Sequence, residues 1–89
     1  MDFEFDPAKS AANLDKHGID FDGARALWED PLYVEVRART ADEPRWLVIG
    51  RMGRRHWSAV VTYRDERVRI ISVRRARPEE VAIYERDDG

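Results

Sequence analysis

Residues 46–74 read WLVIGRMGRRHWSAVVTYRDERVRIISVR, and this stretch decides the fold. Its apolar and polar side chains alternate with a period of two, the signature of half-buried strands. Trp46 to Arg51, His56 to Tyr63 and Arg67 to Arg74 are therefore expected to be strands. Met52-Gly53-Arg54-Arg55 and Arg64-Asp65-Glu66 interrupt the alternation as short turns. Three strands joined in this way form an antiparallel meander.

Upstream, Val34, Val36 and Ala38 alternate with Glu35, Arg37 and Arg39, which adds a strand before an expected turn at Ala41-Asp42-Glu43-Pro44. Phe3 and Phe5 alternate with Asp2, Glu4 and Asp6 as a short opening strand. Asp6-Pro7 reads as a helix cap followed by proline in the first turn. Ala8 to His17 is a helical run, closed by Gly18 as a left-handed cap residue. Asp20 starts a second helix with Phe21, Ala24, Leu27 and Trp28 on one face, and Asp30-Pro31 stops it. Arg77-Pro78-Glu79-Glu80 opens a third helix, where proline and acids suit the first turn. That helix carries Val81, Ile83 and Tyr84 before a frayed acidic tail. The order is strand, two helices, four strands, helix. It predicts an α+β domain of two layers, a twisted antiparallel sheet with the helices on one face and the other face partly open.

The chain of 89 residues is expected to be one domain, residues 1–89, because halves of it would be too small to bury a core. It has no cysteine, which excludes disulfides, thiolate zinc sites and cysteine nucleophiles. No apolar run approaches a membrane span, and the acidic start does not resemble a secretory leader. A cytoplasmic location is the expectation.

Charge is segregated along the chain. Residues 1–30 carry a balance of −5, residues 31–78 of +7 and residues 79–89 of −4, for a net charge of −2. Arginine supplies 14 of the 16 bases. Its planar fork suits bidentate phosphate contacts, although GC-rich coding also enriches it. Arg45, Arg51, Arg54, Arg55, Arg64, Arg67, Arg74 and Arg75 fall at expected strand ends and turns. An open sheet face rimmed with arginines is a phosphate-binding surface in outline.

Common catalytic signatures are missing: there is no phosphate loop, no HExxH and no nucleophile elbow. Two histidines, His17 and His56, are too few for a histidine metal site, and the acids around Asp20 fit no calcium loop. No metal and no cofactor is expected. Lys16-His17-Gly18 at a helix end is the most unusual polar cluster. It reads either as capping of the last carbonyls or as a base and a cation aimed at the sheet. His56 reads as a packing or surface residue. Arg74 and Arg75 point to opposite faces, and ion pairing with Glu79 or Glu80 accounts for one of them. RNA cleavage without metal needs only a base for the 2′-hydroxyl, a cation for the phosphorane and an acid for the leaving oxygen.

Over nearly its full length the chain resembles the BrnT toxins of bacterial type II toxin–antitoxin modules. The resemblance rests on Phe5-Asp6-Pro7-Ala8-Lys9, on Asn13-Leu14-Asp15-Lys16-His17-Gly18-Ile19-Asp20-Phe21, on Ala24 and on Trp28-Glu29-Asp30. It continues through Glu43-Pro44-Arg45, Ile49-Gly50, Val60-Val61-Thr62-Tyr63-Arg64 and Arg69-Ile70-Ile71-Ser72-Val73-Arg74-Arg75-Ala76, and closes with Glu79-Glu80 and Tyr84. The chain departs from the family pattern at Asp6, where an aromatic is usual, and at Asp42-Glu43-Pro44-Arg45, where the usual loop is Gly-Glu-x-Arg. The resemblance implies a RelE-like fold and a ribonuclease that arrests growth. It implies neutralisation by a BrnA-like ribbon-helix-helix antitoxin, with operator DNA reached only through that antitoxin. It implies Lys16, His17, Arg64, Arg74 and Tyr84 as catalytic candidates. Arg45, carried over with them, joins Arg51, Arg54, Arg55 and Arg75 as RNA-binding candidates.

Two other readings compete with a metal-independent endoribonuclease. One is a non-catalytic module that binds RNA or a protein through its basic sheet. The other is an inactive toxin kept as an operon co-repressor. The central positive balance generates one expectation for the RNA-binding readings. Affinity for a generic RNA falls steeply as salt rises, because each neutralised phosphate releases counterions. Salt-independent affinity in a filter-binding titration would remove the arginine face from the account.

Overall fold

The computed structural model describes residues 1–39 and 42–88. Its elements are β1 (Asp2–Glu4), α1 (Pro7–His17), a single-turn α2 (Phe21–Ala24), a 3-10 segment (Arg25–Glu29), β2 (Val34–Ala38), β3 (Arg45–Met52), β4 (Arg55–Arg64), β5 (Arg67–Arg75) and α3 (Pro78–Asp88). The five strands form one sheet in the order β1-β5-β4-β3-β2. Of the turn expected at Ala41 to Pro44, Ala41 lies outside the described residues. The β4–β5 turn places Asp65 and Glu66 at φ 48° and 70°, the left-handed pair that a tight hairpin matching strand twist requires.

The α+β class and the sheet-plus-helix body are as expected, with two particulars that differ. First, the sheet is mixed rather than wholly antiparallel: β1 runs parallel to β5, Asp2 opposite Arg67 and Glu4 opposite Arg69. The chain leaves β1 toward Val73, farther along β5, where α1 docks, and this fixes the strand's direction. Second, α3 does not share a face with the other helices. Val48, Ala59, Val61, Val68, Ile70 and Val73 face Phe21, Ala24 and Leu27 to form the main core. Ile49 and Val34 point the other way and form a smaller core with Tyr84 of α3. The reason lies in β2 and β3. Val34, Val36, Leu47 and Ile49 make a second apolar patch, and α3 covers it.

The second helix is also shorter than its periodicity implies. Asp20 caps it by accepting from the Gly23 N–H at 2.7 Å, but from Arg25 the coil tightens. Leu27 is thereby pressed onto Gly50 of β3. A Cβ at that glycine would stand 3.0 Å from Leu27 Cδ2, so the close approach needs glycine.

α1 opens on Asp6, which accepts from the Ala8 N–H at 2.8 Å, and closes on Gly18 at φ 79°. Its buried residues are polar, Ser10 and Asn13. Ser10 Oγ accepts from the Phe21 N–H at 2.9 Å. Asn13 does the work of a missing strand. β1 stops opposite Arg69, which leaves the outer edge of β5 open beyond it. There Asn13 Nδ2 donates to the Val73 carbonyl at 2.9 Å, and Asn13 Oδ1 accepts from the Val73 N–H at 3.2 Å. The same Nδ2 donates to the Ile19 carbonyl at 2.8 Å. An uncovered edge would leave these groups unpaired under the helix. Asn13→Ala strands a buried N–H and a buried C=O at once, and it is expected to lower stability by about 2–3 kcal/mol in urea unfolding. A loss below about 0.5 kcal/mol would show that water replaces the amide without penalty.

Candidate active site

The densest polar network of the described residues lies on the α3 side of the sheet. Along β4, His56, Ser58 and Val60 point to this face, and Ser58 is paired with Arg74 of β5. Glu80 of α3 comes down on that pair. Its Oε1 accepts from Ser58 Oγ at 2.8 Å and from Arg74 Nη1 at 2.8 Å, and its Oε2 accepts from Arg74 Nη2 at 2.8 Å. Oε1 also accepts from the Arg77 N–H at 2.9 Å, closing the start of the helix. Glu80 is buried, while the Arg74 side chain keeps 26% of its surface exposed. The Arg74 guanidinium beside Glu80, helped by the Arg77 amide and the Ser58 hydroxyl, outweighs burial and holds the Glu80 carboxyl down at about 2. Glu80 in turn raises Arg74 above the ordinary arginine value.

One turn beyond Glu80, Tyr84 also ties α3 down. Its ring is buried and meets the His56 ring edge-on, with centroids 5.1 Å apart. Its hydroxyl donates to Asp30 Oδ2 at 2.8 Å. Asp30 also accepts from the backbone N–H of Leu32 at 2.9 Å and of Arg51 at 2.8 Å. Burial pushes the Asp30 carboxyl up, but the amides of Leu32 and Arg51 and the Tyr84 hydroxyl outweigh it, so it sits below the usual carboxylate range.

The candidates read from the sequence are distributed as follows. Arg74 and Tyr84 share the α3 face, with Arg51 directly across from His56. Lys16 is exposed and His17 half-buried at the end of α1. His17 lies one helical turn beyond Asn13, whose amide grips Val73, the residue before Arg74. α1 and α3 thus approach the same end of β5 from its two sides, although His17 makes no hydrogen bond to Arg74 among the described residues. Arg64 is not part of this group. It lies six positions along β4 from Ser58, about 20 Å away, and pairs with Glu43 at 3.4 Å. The RNA-binding arginines are divided between faces. Arg45 and Arg51 lie on the α3 side, Arg75 stacks 5.6 Å from the Trp57 ring on the other side, Arg55 shares that other side and Arg54 sits at a hairpin tip.

His56 lies on the same face as the network and touches Tyr84 through its ring. Its position two residues before Ser58 puts it on the Arg74 face, and that much is readable from the period of two. Its contact with Tyr84 depends on α3 crossing to this face, which no local pattern announces. Among the described residues no three His, Asp or Glu side chains gather as metal ligands.

The described residues form an α+β domain in which Glu80 of α3 anchors the partly exposed Arg74 guanidinium. The family model for the ribonuclease toxin BrnT of type II toxin–antitoxin systems matches residues 5–80, and the chain belongs to that family. Membership implies an antitoxin partner. No curated protein matched the chain. No helix among the described residues is long and apolar enough to cross a membrane.

Glu80 generates a pH signature. Its folded value near 2 lies below its ordinary 4.5, so its stabilisation is complete above about pH 4.5 and is lost as pH falls toward 2. Glu80→Gln is expected to lose stability at pH 7, on the order of 2–3 kcal/mol, and to show a shallower acid-side decline than the parent. Parallel acid titrations of the two proteins by circular dichroism check this. Superimposable curves would mean that Arg74 leaves Glu80 unperturbed.

Proposed function

We propose that this chain is a metal-independent endoribonuclease that seats the scissile phosphate at Arg74. One observation carries the reading: the Arg74 guanidinium is aimed and immobilised by both Glu80 oxygens yet remains partly exposed. A cation fixed before the substrate arrives stabilises the phosphorane without reorganising. The nucleophile belongs to the RNA. A base takes the proton of the 2′-hydroxyl, and the 2′-oxygen bonds to phosphorus. The bond from phosphorus to the 5′-oxygen breaks, and an acid returns a proton to that oxygen. The products are a 2′,3′-cyclic phosphate and a 5′-hydroxyl.

His17, on the α1 side of the β5 end, is the proposed base, with Lys16 as the adjoining cation. His56, on the Arg74 face, is the proposed acid for the leaving oxygen. Tyr84 serves by position, since its hydroxyl is committed to Asp30. Arg45 and Arg51 extend the basic face for flanking phosphates, and Arg64 serves farther along. Arg54, Arg55 and Arg75 are left for more distant contacts.

The regulatory half of the proposal is a BrnA-like ribbon-helix-helix antitoxin, which brings operator DNA to the complex through its own domain. An acidic antitoxin segment would be steered to the positive central sheet and compete there with phosphate. The complex would operate in the cytoplasm.

The test is cleavage of a defined RNA in excess EDTA. The parent is expected to cleave and to leave cyclic-phosphate ends, while a substrate with 2′-deoxyribose at the cut site resists. Arg74→Ala is expected to lower kcat by about 10²–10³-fold, and His17→Ala by about 10²–10⁴-fold. Activity abolished by EDTA and restored by magnesium would overturn metal independence. Full activity in Arg74→Ala would move the phosphate elsewhere.

A further inference from the structure

The face opposite α3 carries a second feature that the proposed chemistry does not use. The helix cover on that face reaches Gly50 through Leu27. Trp46 lies four residues farther along β3, about 13 Å away. Directly opposite it on β2 is Arg37, whose guanidinium carbon lies 5.2 Å from the Trp46 ring centre. On the other side Tyr63 of β4 stands 6.3 Å from Trp46, centre to centre, with the rings tilted by 58°.

Tyr63 is held in an unusual way for a surface side chain. Its hydroxyl donates to Glu35 on β2, two strands away. The side chain therefore reaches across β3 and lies along the sheet instead of standing away from it. Desolvation, and then the Glu35 carboxylate, push its phenol above the ordinary range. The hydroxyl thus stays protonated and remains a donor. Even so, Tyr63 keeps 41% of its surface exposed. The result is an immobilised aromatic ring beside a tryptophan that carries an arginine. A fixed ring loses little rotamer freedom when a partner stacks on it.

Flat rings beside a guanidinium match the faces of unpaired nucleobases, which stack on aromatic side chains and on arginine planes with little sequence preference. The charge around the patch fits the same ligand. Arg37 belongs to it, while the Glu35 carboxylate is taken up by the Tyr63 hydroxyl; Arg45 and Arg64, the latter paired with Glu43, lie at the same end of the strands, on the rim that leads to the α3 face. We infer that Trp46, Tyr63 and Arg37 form a stacking platform for an unpaired base of single-stranded RNA, remote from the phosphate seat at Arg74.

The inference rests on RNA being the substrate, and the test separates the two. The probes are a 2′-O-methyl oligouridine 12-mer, which lacks the nucleophilic hydroxyl, and an abasic 12-mer of equal charge. Tyr63→Ala is expected to weaken binding of the base-bearing strand by about 5- to 100-fold and to leave the abasic strand unaffected. Tyr63→Phe keeps the ring, loses the bond to Glu35 and is expected to retain most of the affinity. With cleavable RNA, Tyr63→Ala is expected to raise KM while kcat at saturation is unchanged. Equal affinity of parent and Tyr63→Ala for the base-bearing strand overturns the platform while leaving the ribonuclease intact. Loss of antitoxin binding with RNA affinity retained overturns it as well, and marks the patch as a protein surface. A parent that neither binds nor cleaves RNA overturns both readings.

Discussion

The carboxylate of Glu80 holds the α3 side of the sheet together. It collects donors from a strand hydroxyl, a strand guanidinium and the backbone at the start of α3. A buried carboxylate without such partners would be strongly destabilising, whereas a fully satisfied one fixes the geometry of everything bonded to it. Three things follow from this one group. α3 is registered on the sheet, Arg74 points in one direction, and the helix start needs no other cap. The contact between Tyr84 and Asp30 repeats the arrangement, linking α3 to the backbone of β3. The helix is thus fastened by polar contacts at Glu80 and Tyr84, one turn apart, and the Tyr84 ring also closes a small apolar patch with Val34 and Ile49.

Most of the secondary structure was legible because the strand-like runs in residues 34–75 are set apart by clear turns, even though Trp46 to Ile49 and Ile70-Ile71 break the alternation. What the pattern left open were matters of placement. The direction of β1 depends on where α1 docks, and that in turn depends on Asn13, a residue whose helical position gives no hint that its amide completes a strand edge. The crossing of α3 to the second face follows from Val34, Val36, Leu47 and Ile49, which are visible as an alternation but not as an unmet need for cover. At the candidate site, the alternative that one arginine pairs with Glu79 or Glu80 is realised by Arg74 and Glu80. The separation of Arg64 from Arg74 was latent in the hairpin register, since residues at opposite ends of paired strands cannot meet. His56 packs against Tyr84, in keeping with its reading as a packing residue, although that partner comes from an element distant in sequence.

The abundance of arginine has two roles in one small protein. Arg25, Arg37 and Arg75 lie against the rings of Phe3, Trp46 and Trp57. There the long side chains extend apolar cover while the charged heads stay wet. Arg74 is instead taken up by a carboxylate and aimed. Lysine could replace neither role fully, lacking both the stacking plane and the fork. Positive charge therefore appears on both faces, joined at the strand ends by Arg45 and Arg64.

The edge position of β1 and the grip of Asn13 on Val73 also govern when the molecule takes shape. Asp2 to Glu4 pairs with Arg67 to Arg69, and Asn13 waits for Val73. A growing chain emerges from its N-terminus, so the first strand and first helix have no seat until the last strand has been made. Arg74 is aimed later still, once Glu80 has followed it out. A chain made only as far as β4 therefore leaves β1 and α1 without their partners, and the surface around Arg74 forms only after α3 has begun.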